Sequence, residues 1–205
     1  MKLPPDPLLR EARTLMRKLE PEPAHVLQVA RLADQLFLEL QPLHRLGARD
    51  RLLLAAAAWL HDTGWSVSPD GRAHHKHSAR LIRCHPWKHL NKEEKEMVAQ
   101  TARYHRRTLP TLKQSRHARL SSEARERVCA LASLLRVADA LDRSHRSRIR
   151  RITAAVGDAA VEIRARAREA AGEEEAAFLK KRDLFLRHYD LPVHLRLDFA
   201  RQVRV

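Results

Sequence analysis

Aromatic residues are scarce in this 205-residue chain, with Phe, Trp and Tyr together at 4%. Its core therefore has to be packed from Leu, Ala and Val. The same scarcity removes the stacking platforms used by single-strand binders, which disfavours a dedicated RNA-binding module. Glycine is rare too, with 5 residues, and the abundance of Ala and Leu biases the chain toward helices. The two cysteines, Cys84 and Cys129, belong to no CxxC pair, which argues against a disulfide framework and fits a reducing compartment. The longest apolar run, Leu52 to Leu60, falls short of the roughly 20 residues that cross a bilayer. The opening MKLPPDPLL lacks the apolar stretch of a secretion signal. The expectation is a soluble cytoplasmic protein with no membrane partner.

Hydrophobic residues make up 44%, enough for a packed core. The formal charge of +15 attracts polyanions but does not choose among nucleic acid, nucleotide and polyphosphate. Residues 1–23 read as a lead-in helix, Leu8 to Leu19, between Pro4-Pro5 and the Pro21, Pro23 pair. Helical spacing follows over Ala24–Leu40, Arg51–His61, His74–Cys84 and Glu123–Ser147. Gly64 reads as a helix stop, and Asn91 with Glu94 as a capping box opening a helix that runs to about Arg107. Leu109 to Leu120 reads as a loop. After Arg151, Ile152–Val156 and Val161–Ala165 alternate around Gly157-Asp158 as a hairpin. Glu174–Tyr189 is helical, and Val193 to Phe199 alternates as a half-buried strand. The expected fold is mainly α: a helical bundle over 24–150, then a small α+β appendage over 151–205 arranged hairpin, helix, strand.

Chemistry is expected where polar residues interrupt apolar stripes. His25 lies one turn before Val29, His61-Asp62 ends the most apolar helix, His105 follows Thr101, and Asp139 follows Leu135 and Leu131. A buried carboxylate is costly unless something compensates its charge. Two aspartates and several histidines converging on one point solve this by sharing a cation. Imidazole with carboxylate suits Mn, Fe, Zn or Co, and carboxylate with water suits Mg. Taken singly, each residue has a plainer reading. His25 and His105 can be hydrogen-bonded core histidines, Asp139 can pair with Arg136 or Arg143, and His74, His75 and His77 can form an exposed basic turn. The ordered set His, His-Asp, Asp on buried faces is what favours the metal.

With those residues in place, the chain resembles the HD superfamily of metal-dependent phosphohydrolases, whose signature is H…HD…D. The closer resemblance is to the C-terminal region of the exopolyphosphatase/guanosine pentaphosphate phosphohydrolase family. It rests on AAAAWLHDTGWSVS at 55–68, HHKHSARLI at 74–82, RYHRR at 103–107 and LLRVADALDRS at 134–144, and covers about residues 20–200. The resemblance implies an HD-domain bundle holding one or two divalent ions. His25, His61, Asp62 and Asp139 would ligate the first, and the Asp62 carboxylate would bridge to a second. The second would be completed by His105 and by His75 or its neighbours His74 and His77. His61 and Asp62 would then be the catalytic pair. Family members carry an actin-like catalytic module ahead of this region, and no such module is found within these 205 residues.

The substrate expected from this set is a phosphate ester or anhydride: a nucleotide, guanosine tetra- or pentaphosphate, or polyphosphate. Lys76, Arg80, Arg103, Arg106 and Arg107 flank the ligands and can clamp phosphate oxygens, or be solvated helix faces. Asp142, one turn after Asp139, can orient a ligand from behind or pair with Arg143. Two rivals stand beside the hydrolase. One is a binding module that holds polyphosphate, nucleotide or RNA on its basic surface, including the run Arg143, Arg146, Arg148, Arg150 and Arg151. The other is a subunit that docks on a separate catalytic partner. A homodimer is left open.

Overall fold

A computed structural model describes residues 6–68 and 70–199; the Pro4-Pro5 pair lies outside them. The described residues form a mainly α fold with a small sheet toward the C-terminal end. The helices are α1 (Pro7–Leu19), α2 (Pro23–Glu39), α3 (Gln41–His44), α4 (Ala48–Leu60), α5 (His74–Cys84), α6 (Lys92–Arg103), α7 (Ser115–Ala118), α8 (Ser122–Ala140), α9 (Gly172–Lys181) and α10 (Asp183–Tyr189). A 3-10 turn, Thr63–Val67, separates α4 from α5. Strands β1 (Ile149–Val156), β2 (Val161–Ala167) and β3 (Val193–Phe199) lie in the order β1-β2-β3. The first pair is antiparallel and the second parallel, with Val161 opposite Val193.

Local chemistry explains most boundaries. Asp6 accepts the Leu8 N–H at 2.8 Å, Ser121 accepts that of Ala124 at 3.2 Å, and Pro7 and Pro23 stand at helix starts. Asn91 and Glu94 form the expected reciprocal cap on α6. Three expected helices stop early or split. α6 ends at Arg103, and Arg107 then takes a positive φ of 58°. α8 ends at Ala140 rather than Ser147, because Asp142 accepts the Ser147 N–H at 2.8 Å and His145 and Ser147 are left-handed. Residues 174–189 divide at Arg182, where Asp183 pairs with Arg136 and caps the Leu184 N–H at 2.8 Å. The 109–120 loop contains the single turn α7.

One apolar cluster runs from α1 and α2 through α4, α6 and α8 into the sheet. Helix α2 also covers the outer edge of β1. Gln28 Nε2 donates to the Ile149 carbonyl at 2.7 Å, Arg31 to that of Arg150 at 2.6 Å, and Gln35 accepts the Ile152 N–H at 2.9 Å. This satisfies an edge that would otherwise invite another strand. Among the described residues no helix is long and apolar enough to cross a membrane.

Candidate metal centre

Five elements converge on one buried point. His25 comes from the first turn of α2, and His61 and Asp62 from the end of α4. His74 opens α5, His105 follows α6, and Asp139 sits in the last turn of α8. All six are buried. Gly64 makes the approach of α5 possible. A Cβ there would stand 2.1 Å from the His74 carbonyl oxygen and 2.7 Å from the Ser78 nitrogen, both backbone atoms. Its role is therefore close contact, not the helix stop read from the sequence.

Hydrogen bonds fix the direction of every imidazole. His61 Nδ1 donates to the Ala58 carbonyl at 2.7 Å and His105 Nδ1 to that of Ala102 at 2.7 Å. His74 Nδ1 lies 3.1 Å from the Gly71 carbonyl, and His25 Nδ1 lies 2.9 Å from Asp142 Oδ2. With Nδ1 engaged, each Nε2 is turned toward the aspartates. Asp62 Oδ2 faces His61 Nε2 at 3.6 Å and His25 Nε2 at 3.9 Å. Asp62 Oδ1 faces His74 Nε2 at 3.2 Å and His105 Nε2 at 3.5 Å. Asp139 Oδ1 stands 3.4 Å from His25 Nε2 and 3.9 Å from His61 Nε2. The donors cluster as His25, His61 and Asp62, as His61, His105 and Asp139, and as Asp62, His74 and His105, with one Asp62 oxygen turned to His25 and His61 and the other to His74 and His105.

This set fits a cation. Ligands about 2.1 Å from a shared ion stand roughly 3.0–3.5 Å apart. Most of the separations here match that or exceed it slightly. His61 Nε2 and Asp62 Oδ1 are buried and have no hydrogen-bond partner among the described residues, which is costly unless a ligand takes them up. Burial holds His61 and His105 below the usual histidine range, so their lone pairs are free at neutral pH. Burial opposes ionisation of Asp62 and Asp139, but is outweighed at Asp62 by His61 and His74 and at Asp139 by Lys181 and His25, so both stay ionised. Burial opposes charge on His25, but Asp139 and Asp142 outweigh it and raise the imidazole to about 10, so a cation taken at Nε2 must displace a proton there.

The histidines of the HHKH string are placed differently in α5. His74 faces Asp62; His75 is buried behind it with its ring 6.4 Å from that of His105, and His77 is half-buried; both stand outside the donor groups. Asp142 supports His25 rather than pairing with Arg143. Arg136 pairs with Asp183 rather than Asp139, at 2.7 Å, and donates to the Tyr104 carbonyl at 2.9 Å.

Two clefts open onto Asp62. One, about 400 Å³, is lined by two of the expected phosphate clamps, Arg106 and Arg107, and by Arg143, Lys180 and Lys181. The other, about 300 Å³, is lined by Glu20, Pro21, Glu22, Trp65 and His145. Lys76 and Arg80 are exposed and Arg103 half-buried, and none of the three lines either cleft. Sequence reasoning missed Lys180 and Lys181, which line the first cleft, and His145, whose ring stacks on His25 at 3.8 Å.

The fold and site define a helical domain with buried His/Asp clusters able to hold metal ions. Residues 9–192 match the family model described as Ppx/GppA phosphatase, domain III, and the chain belongs to that family. No curated protein matches the chain in a sequence comparison.

Proposed function

We propose that the chain is an HD-type, metal-dependent phosphohydrolase acting on a phosphate ester or anhydride. The observation that carries this reading is the orientation of four buried imidazoles, each held at Nδ1 and turned through Nε2 onto two ionised aspartates. The donor set suits Mn, Fe, Co or Zn better than Mg, because imidazoles dominate it. His25, His61, Asp62 and Asp139 would hold one ion, and Asp62, His74 and His105 a second. Bound there, the ions would supply Lewis-acid activation of water and of the phosphoryl group. Arg106, Arg107, Arg143 and Lys180 then receive the phosphate oxygens in the adjoining cleft. Membership in a family of phosphatases supports a phosphorylated substrate.

The test is phosphate release by Mn-reconstituted protein from nucleotides, guanosine tetra- and pentaphosphate, cyclic nucleotides and polyphosphate. At least one should be turned over, with activity lost on chelation. If metal-loaded protein turns over none, the hydrolase reading fails. A second reading, a non-catalytic module that holds polyphosphate or nucleotide, is supported by the cationic cleft and by a family model that describes one domain of a phosphatase. It predicts binding that weakens steeply with salt and no turnover.

Asp142 supplies a prediction that needs no substrate. One oxygen accepts from Ser147 N and the other from His25 Nδ1, so the single carbonyl oxygen of Asn cannot serve both. Asp142→Asn is expected to weaken Mn binding about 10-fold or more, as loss of an outer support does. Unchanged affinity in a calorimetric titration would separate Asp142 from the centre.

A further inference from the structure

Lys181 makes a contact within the centre for which the hydrolase reading has no use. Its Nζ bonds Asp139 Oδ2, while Asp139 Oδ1 is turned to His25 and His61. One oxygen of this carboxylate therefore faces the imidazoles and the other faces an ammonium. Lys181 is not a loose surface lysine. It is the last residue of α9, and its carbonyl accepts from Arg136 Nε at 3.3 Å. Arg136 is itself anchored on Asp183 and on the Tyr104 carbonyl, and it lies on α8 three residues ahead of Asp139. One arginine thus frames both the ammonium and the carboxylate it meets. The Lys181 side chain is 19% exposed, so its charge is only partly screened by water.

A fixed positive charge on Asp139 acts on an incoming cation in two ways. It takes up part of the carboxylate's electrostatic attraction, and it repels a dication a few ångströms away. We propose that Lys181 is a tethered cation that competes with the divalent ion for Asp139. The inference rests on the metal reading above. It adds that the chain itself holds the centre's affinity down and never leaves Asp139 bare.

The experiment is calorimetric titration of Mn²⁺ into the wild type, Lys181→Met and Lys181→Arg, with thermal melts before and after metal. Met keeps the unbranched stem and removes the charge; Arg keeps the charge. Lys181→Met should bind Mn²⁺ about 10-fold tighter or more, melt lower than wild type without metal, and gain more from its addition. Lys181→Arg should bind as the wild type does. If Lys181→Met binds Mn²⁺ equally or more weakly, Lys181 merely positions Asp139 and the competition is refuted while the metal reading stands. If neither wild type nor Lys181→Met takes up Mn²⁺, the metal reading fails and the inference with it.

Discussion

Asp62→Ala is expected to purify without bound metal and without phosphohydrolase activity, while keeping its helices. The reason is that both carboxylate oxygens are committed. Oδ2 faces His25 and His61, and Oδ1 faces His74 and His105, so one substitution takes a ligand from each half of the centre. The loss of affinity should exceed the roughly 10–100-fold cost of removing an outer support such as Asp142. Elemental analysis after dialysis, circular dichroism and phosphate release check the three parts. Full metal retention would mean that Asp62 is not a shared ligand.

Gly64→Ala should act through the fold and reach the same centre from behind. The added methyl would meet the backbone of His74 and Ser78, which cannot swing aside as a flexible side chain can. The 3-10 turn and the start of α5 must separate, and the Gly64 N–H bond to Ser78 Oγ, 2.9 Å long, is strained with them. Overpacking of this kind costs about 3 kcal/mol, or a melting point lower by roughly 6–12 °C for a chain of this size. Because His74 is the residue displaced, the substitution should also weaken the half of the centre formed by Asp62, His74 and His105. A melting point within about 2 °C of wild type would show that this contact is not tight.

Those two residues mark what was legible in the sequence. His61-Asp62 stood out because an almost wholly apolar helix ran straight into it, and His25 and Asp139 because each broke an apolar stripe at helical spacing. The long helices and the strands followed from the same periodicity and from caps such as Asn91 with Glu94, whereas the short α3, the 3-10 turn and α7 did not. What periodicity does not carry is where a helix stops when a distant residue decides it. The end of α8 depends on Asp142 bonding Ser147, and the break after α9 on Asp183 answering Arg136, 47 residues away. The choice within His74, His75 and His77 was hidden for a related reason. His74 and His77 lie on one face of α5, one turn apart, and it is the close contact of α5 with Gly64 that brings His74 against Asp62. Lys181 gave no local signal, since a lysine near a helix end is ordinarily solvated. Its meaning comes from Asp139, 42 residues earlier.

The proposed site stands or falls with a divalent cation shared by these six side chains. Its most direct test is the metal content of the purified chain, measured after reconstitution with Mn²⁺ and exhaustive dialysis against metal-free buffer. Between one and two equivalents per chain are expected, falling to background in Asp62→Ala. A folded wild-type protein that retains no metal would contradict it.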